Sequence, residues 1–235
     1  MAEAFTAFMP SRDGFAFAND FPSVPAKVVD LVVTQVPIGD ASNGLCGGMV
    51  YAALDYFLEG RDPPPGATAP GSGPLFDYLV DRLLDSWKAS GLNGLPAGAT
   101  YFHLMSSTVP DAEQWWTRFS PWHSRAWVMA KQAWPILKAD IDAGRPSPLG
   151  LIRVLTWDVR EIGKHHQVLV WGYRAEGSSL TLWVYDPNRP GDDTVRLDLD
   201  IGRISRKIEV VRTPPSGYPI HCFFRPGYER RTPPA

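Results

Sequence analysis

Six short segments rich in β-branched and aromatic residues follow one another in the second half of the chain, and they constrain the fold more than any other feature. They are residues 149–155, 166–173, 180–186, 194–199, 207–211 and 220–224. Segments of this length and composition are typical of strands, and strands in direct succession favour an antiparallel sheet. The turn at residues 176–179 predicts that segments 166–173 and 180–186 form a hairpin.

The first half of the chain shows helical spacing instead. Apolar residues recur at this spacing from Cys46 to Phe57, and Gly60 ends the pattern, so Cys46 is predicted at the start of a helix. Residues 75–87 place their apolar side chains on one face and predict a second helix.

Two further helices are predicted before the strands begin. Asp111 is a candidate N-cap for a short helix that ends at Phe119. Ser124 is a candidate N-cap for a longer helix, in which Pro135 should produce a kink because proline has no backbone N–H. Gly144 has the position of a helix C-cap.

Helices that precede strands favour an α+β fold over an alternating doubly wound one. We expect a single domain over residues 1–235: an N-terminal arm over 1–25, a mainly helical lobe over 26–145 and a mainly β-sheet lobe over 146–235. A Pro/Gly-rich loop over 60–74 interrupts the helical lobe. Residues 27–36 have the composition of a short strand or extended segment.

Composition excludes several classes of function. The formal net charge of −2 does not supply the basic surface that drives binding to nucleic acid or anionic membranes. No segment resembles a signal peptide or a membrane-spanning helix, so we expect a soluble protein, cytoplasmic by default. Two cysteines, Cys46 and Cys222, are too few for a disulfide framework.

The position of Cys46 suits a nucleophile. A thiol at a helix N-terminus feels the positive end of the helix dipole, which lowers its pKa and favours the thiolate. The glycines at 44, 47 and 48 would leave room for a substrate backbone to approach. The alternative is a small buried residue at a tight junction between loop and helix.

A cysteine nucleophile needs a base and a group that orients the base. His166 begins one strand of the predicted hairpin and Asp186 ends the other, so pairing of the strands can bring the two side chains together. His165 and His166 point to opposite faces of an extended strand, so only one of them can address Cys46. Asn188 is the alternative third member, and turn initiation before proline is the alternative role of Asp186.

The order of these residues resembles papain-like cysteine peptidases, in particular the branch that processes bacteriocin leader peptides. Four motifs carry the resemblance over roughly residues 30–190: LCGGM at 45–49, IDAGRP at 141–146, HQVLVWGY at 166–173 and VYDPN at 184–188. The resemblance implies a papain-like fold, with a helical lobe packed on an antiparallel sheet lobe. It implies a peptidase or amidase that acts through an acyl-enzyme on a peptide or protein substrate, without cofactor or metal.

The resemblance also implies a role for each residue. Cys46 would be the nucleophile, His166 the general base and Asp186 the orienting acid. The family usually has a glutamine six residues before the nucleophile, whose amide contributes to the oxyanion hole. That position is Asp40 here, and a carboxylate cannot donate a hydrogen bond, so we expect Gln35 to take this role, with Asn43 as the alternative.

Other functions remain open from the sequence. An incomplete oxyanion hole would leave a catalytically degenerate module that binds its ligand in the same cleft. GLCGG at 44–48 also fits a nucleophile elbow, although that fold needs a strand leading into the nucleophile. A metal site from His165, His166, His221 and Cys222 has suitable ligand types but unsuitable spacing. Five tryptophans, at 115, 116, 122, 127 and 134, are compatible with a binding groove but also with core packing.

Overall fold

The computed structural model describes residues 1–22, 27–31, 34–38, 44–117 and 123–234, with the backbone alone described for 27–31 and 34–38. The strands are β1 (Ala2–Phe5), β2 (Lys27–Leu31), β3 (Thr34–Ile38), β4 (Ser147–Ile152), β5 (His166–Glu176), β6 (Ser179–Tyr185), β7 (Arg196–Asp200), β8 (Val210–Thr213) and β9 (Cys222–Phe224). The α-helices are α1 (Pro10–Asp13), α2 (Cys46–Glu59), α3 (Pro74–Lys88), α4 (Ala97–Met105), α5 (Arg125–Trp127) and α6 (Trp134–Asp142).

The described strands form one large sheet and one hairpin. The large sheet has the order β8-β7-β6-β5-β4-β9, and β1 pairs with the far end of β5. Every strand pair in the described ranges is antiparallel. The predicted hairpin is confirmed as β5 and β6, joined at Gly177 with φ +59°. The fold is therefore a mixture of helices and antiparallel sheet, as an α+β fold requires.

Helices cover both faces of this sheet. Val168, Val170 and Leu182 face a core shared with α4 and α6. Leu169 and Tyr185 face a second core shared with α2 and α3. This alternation is the period of two expected of a strand buried on both sides. The expected arrangement of one helical lobe beside one sheet lobe therefore differs from the structure, in which the sheet lies between two helical layers.

The N-terminal segment is part of the core and not an arm on its surface. β1 extends the edge of β5, with Ala2 opposite Ala175. Four phenylalanines that follow are fully buried against α2 and the sheet: Phe8, Phe15, Phe17 and Phe21. The sequence interpretation missed this role because these aromatic residues have neither helical nor strand spacing.

Helix α2 begins at Cys46, as predicted, and Gly60 ends it in the left-handed conformation. Residues 46–56 are all buried, because α3 packs on one side of α2 and β5 on another. A Cβ atom on Gly48 would lie 2.0 Å from the Leu79 carbonyl oxygen. One on Gly47 would lie 2.6 Å from polar atoms of Gln167 and Ser86. The space at these two glycines is thus occupied by the protein, and the expectation that it admits substrate is wrong.

The remaining helices agree with prediction in part. Ser124 caps α5, and its side chain accepts a hydrogen bond from the Trp127 amide. Residues 128–133 form a π-helix between α5 and α6 just before Pro135, which is where a kink was predicted. Over the described residues 111–117 no helix begins at Asp111, and its carboxylate pairs with Arg125. The predicted end at Phe119 lies outside the described residues. Helix α4 was not predicted.

The predicted extended segment at residues 27–36 corresponds to the hairpin of β2 and β3, in which Asp30 pairs with Gln35. Within the residues that the structure describes, no helix has both the length and the apolar character needed to span a membrane.

Candidate active site

Cys46 occupies the first position of α2, where backbone N–H groups have no partner inside the helix. The backbone before it is held by the N-terminal segment: Asn19 Oδ1 accepts a hydrogen bond from the Leu45 amide at 2.7 Å. The backbone N–H of Asn19 donates a hydrogen bond to the Pro187 carbonyl oxygen at 2.9 Å. Asn19 therefore connects the residue before Cys46 with the residue after Asp186.

The structure brings Cys46, His166 and Asp186 together. His166 begins β5, and its Nε2 atom lies 2.8 Å from Oδ1 of Asp186, which follows β6. Cys46 and the same imidazole line one cavity, and each shifts the pKa of the other. With Nε2 directed to Asp186, the Nδ1 atom is the one that remains for the thiol. His166 is 5% exposed and Cys46 is 9% exposed.

Asp186 has two further partners that fix its orientation. Its Oδ2 atom forms an ion pair with Arg212 Nη2 at 2.5 Å. Its Oδ1 atom also accepts a hydrogen bond from the Asn188 amide at 2.9 Å. Asn188 is an exposed residue, and it takes part in the site through its backbone N–H. The side chain that contacts His166 is that of Asp186.

The electrostatics of these groups favour a charged pair of thiolate and imidazolium. Burial raises the pKa of Cys46, but the charge and hydrogen bond of His166 outweigh burial, and the net pKa is lowered. Burial lowers the pKa of His166, but the charges of Asp186 and Cys46 raise it to about 9. Burial opposes ionisation of Asp186 as well, and its pairing with His166 and Arg212 still holds its pKa below the ordinary value.

Backbone N–H groups add to the stabilisation of the thiolate. The backbone groups of Gln167 and Gly47 both act to lower the pKa of Cys46. The Gln167 side chain is fixed behind the thiol, because its Nε2 atom donates to Ser86 Oγ at 3.0 Å. Ser86 Oγ donates to the Leu83 carbonyl of the same helix.

The predicted oxyanion donors lie in less completely described parts of the chain. Asp40 and Asn43 fall outside the described residues. Gln35 lies in β3, of which the backbone is described, and β3 contacts the 3₁₀ turn Val159–Lys164. Ile162 and Gly163 of that turn line a cavity at Cys46, so the strand that carries Gln35 approaches the site.

His165 has different partners from His166. Its ring stacks on Tyr101 with 5.3 Å between centroids, and its Nδ1 atom accepts a hydrogen bond from the Arg153 amide. Burial and the nearby charge of Arg153 lower the pKa of His165 to about 3, so it is neutral at pH 7.

The structure does not favour the metal site, the nucleophile elbow or the tryptophan-lined groove that the sequence left open. Cys222 lies in β9, is a free thiol and is fully buried. Within the described ranges, no group of three His, Cys, Asp or Glu side chains has the arrangement of a metal site. The antiparallel sheet also differs from the strand–helix alternation of a nucleophile-elbow fold. Trp115 and Trp116 are exposed, and neither lines the cavities at Cys46 or His166.

Two cavities border the site, and the His166 side chain lines both. The cavity at Cys46 measures about 20 Å³ and includes Trp87 and Tyr101 in its wall. The other measures about 170 Å³ and is lined by Asp186 and several arginines. The sequence patterns did not indicate Arg212 or Asn19, because each acts through long-range contacts that leave no signal in the spacing of residues.

The chain was compared with protein-family models, with curated proteins and with solved structures, and none of the three comparisons returned a match.

Proposed function

We propose that this protein is a papain-like cysteine hydrolase that cleaves a peptide or amide bond through an acyl-enzyme. The observation that carries the proposal is the position of one imidazole: His166 forms a hydrogen bond with Asp186, lines the same cavity as Cys46 and lowers the pKa of that thiol. A nucleophile beside a base that is oriented by a third group is the arrangement needed for covalent acyl transfer.

The reaction follows from these contacts. The Cys46 thiolate attacks the carbonyl carbon, a C–S bond forms and the carbonyl electron pair moves to oxygen. When the tetrahedral intermediate collapses, the C–N bond breaks, and the His166 imidazolium gives its proton to the leaving amine. His166 then removes a proton from water, whose oxygen attacks the thioester carbon. When the second tetrahedral intermediate collapses, the C–S bond breaks, which releases the carboxylic acid and regenerates the Cys46 thiolate with the proton on His166.

Each neighbouring group supports one step. Asp186 holds the imidazole with Nδ1 towards the thiol and stabilises the imidazolium. The Cys46 amide at the start of α2 is available to a developing oxyanion, because the first amides of a helix lack intrahelical partners. Gln35 is the proposed second donor.

A trapping experiment tests the proposal. The protein is incubated with a library of peptides and amides, quenched in acid and analysed by intact mass. We expect an added acyl mass on Cys46 and cleaved products, and neither in the Cys46→Ala variant. Absence of both from the parent protein, with slow alkylation of Cys46 at neutral pH, would contradict the proposal.

One observation favours a second candidate function. The cavity at Cys46, about 20 Å³, holds roughly one water molecule. A papain-like scaffold that binds its ligand beside His166 without cleaving it would suit this geometry. Binding of library peptides, with a reactive Cys46 thiolate but no acyl-enzyme, would favour this candidate.

A further inference from the structure

The larger cavity beside the triad is rich in arginine. His166 and Asp186 form part of its wall, and Arg153, Arg189 and Arg212 line it from three separate segments. Arg153 follows β4, Arg189 lies in the turn after β6, and Arg212 belongs to β8. Three arginines therefore line a space of about 170 Å³ next to the base.

The three arginines differ in how their charges are balanced. Arg212 is paired with Asp186. Among the side chains that the structure describes, no carboxylate lies within ion-pairing distance of Arg153 or Arg189. Arg153 is instead placed over the ring of Tyr218, with its guanidinium carbon 3.8 Å from the ring centroid. Asp192 acts on Arg189 electrostatically, but it does not line the cavity.

The charges at the site add up to a local excess of positive charge. The thiolate of Cys46 and the imidazolium of His166 cancel, and so do Asp186 and Arg212. Arg153 and Arg189 remain on the cavity wall, and Asp192 acts on Arg189 from outside the cavity. Arg153 is half-buried, where water compensates its charge less well. Burial lowers the pKa of Arg153, although the negative charges of Cys46 and Asp186 act in the opposite direction. An anion in the cavity would compensate the charge of this half-buried guanidinium.

We infer that the cavity binds a carboxylate of the substrate, so that the bond cleaved at Cys46 lies close to an acidic group. The inference rests on the proposed function and adds the substrate class. Guanidinium groups bind carboxylates through paired N–H donors. The volume is below the roughly 300–1,000 Å³ of pockets for whole ligands, so it suits one side chain or one chain terminus.

Paired alkylation experiments test this inference independently of turnover. The rates at which Cys46 reacts with iodoacetate and with iodoacetamide are measured at pH 7 by peptide mass mapping. The ratio of the two rates reports the attraction of a carboxylate to the site, whatever the reactivity of the thiol. We expect the ratio to fall roughly fivefold to tenfold in Arg153→Gln and in Arg189→Gln. It should also fall in the parent protein as salt is raised to about 0.5 M.

Arg174→Gln is the matched control, because Arg174 lies eight residues along β5 from His166, about 26 Å in an extended strand. Its ratio should equal that of the parent protein. Because Arg189 is exposed, its variant also guards against a folding defect in Arg153→Gln. A ratio unchanged in both cavity variants would overturn the inference. Fast reaction with iodoacetamide in the same samples would leave the proposed nucleophile intact.

The source of the carboxylate is tested by protection. Three peptides compete with iodoacetamide at Cys46: acetyl-Ala-Glu-Ala-amide, acetyl-Ala-Gln-Ala-amide and acetyl-Ala-Gln-Ala with a free carboxyl terminus. Protection by the first alone identifies an acidic side chain, and protection by the third alone identifies a chain terminus. Equal protection by all three, or by none, would overturn the inference.

Discussion

The Nε2 atom of His166 lies 2.8 Å from Oδ1 of Asp186, which joins the first residue of β5 to the residue after β6. Leu169 pairs with Tyr185 in this hairpin, and the same register sets Asp186 opposite Val168, diagonal to His166. Diagonal neighbours on paired strands are within reach of long side chains. The pairing of two strands therefore orients the imidazole, and Cys46 at the start of α2 lines the same cavity as this imidazole.

The two cysteines should react with iodoacetamide at very different rates. Cys46 should be alkylated rapidly well below pH 8, because His166 and two backbone amides lower its pKa. Burial raises the pKa of Cys222 to about 12, so this thiol should react slowly in the folded protein. Peptide mass mapping over a pH series measures both rates. Comparable rates, with an apparent pKa near 8.5 for both, would contradict the assignment of Cys46.

Hydrolysis should decline as the pH rises through about 9. The pKa of His166 is raised to about 9, and above it the imidazole has lost the proton that the leaving amine requires. Activity should therefore lie on a plateau between the lowered pKa of Cys46 and this value. An alkaline limb near pH 6.5 in the pH–rate profile would show that Asp186 does not stabilise the imidazolium.

Substitutions at Asp186 and Arg212 should shift the alkaline limb of the pH–rate profile in opposite directions. Asp186→Asn removes the negative charge that raises the pKa of His166, so the limb should shift to lower pH and turnover should fall about 10²-fold. Arg212→Gln removes a positive charge from the same network, so the limb should shift to higher pH. Shifts in the same direction would contradict this electrostatic account.

Asp186→Asn also has a cost in stability, because it leaves Arg212, 7% exposed at its side chain, without its partner. We expect the free energy of unfolding to decrease by about 3–5 kcal/mol.

The two adjacent histidines should respond differently to alanine. His166→Ala should lower turnover by about 10³-fold and return the pKa of Cys46 towards ordinary values. His165→Ala should leave the reactivity of Cys46 largely intact and lower the melting temperature, because it removes the stacking on Tyr101. Loss of activity in His165→Ala alone would reverse the assignment of the base.

Gln35→Ala should reduce turnover about 10²-fold, equivalent to about 3 kcal/mol of transition-state stabilisation, with little effect on alkylation of Cys46. The reason is that an oxyanion forms only during acyl transfer, whereas alkylation produces none. Asp40→Ala is the control and should have a much smaller effect. If Gln35→Ala leaves turnover unchanged, Asn43 becomes the candidate for the second oxyanion donor.

Gly48→Ala should destabilise the fold by more than about 3 kcal/mol, because a Cβ atom there would lie 2.0 Å from the Leu79 carbonyl oxygen. Gly60→Ala is the control: it has open space but φ +71°, so it should cost only about 1 kcal/mol. Urea unfolding measures both. If Gly48→Ala lowers the free energy of unfolding no more than Gly60→Ala does, then α2 and α3 can move apart to admit the Cβ atom at little cost.

Local features of the structure were predictable where neighbouring residues alone determine them. The start of α2 at Cys46, its end at Gly60, the cap at Ser124 and the hairpin turn at Gly177 all follow from short-range spacing and turn chemistry. Over the described residues 111–117 the helix predicted from Asp111 is absent, and the Asp111 carboxylate forms an ion pair with the buried Arg125, a contact that helical spacing does not reveal.

The order of elements and the residue types at their ends can be read from the sequence: a thiol at the start of a helix, a histidine at the start of a strand and an acid after the next strand. Which distant groups complete the site depends on the folded chain. Arg212 reaches Asp186 from β8, and Asn19 joins the backbones at Leu45 and Pro187. Such contacts depend on the packing of the whole chain, because they join segments 26 to 168 residues apart.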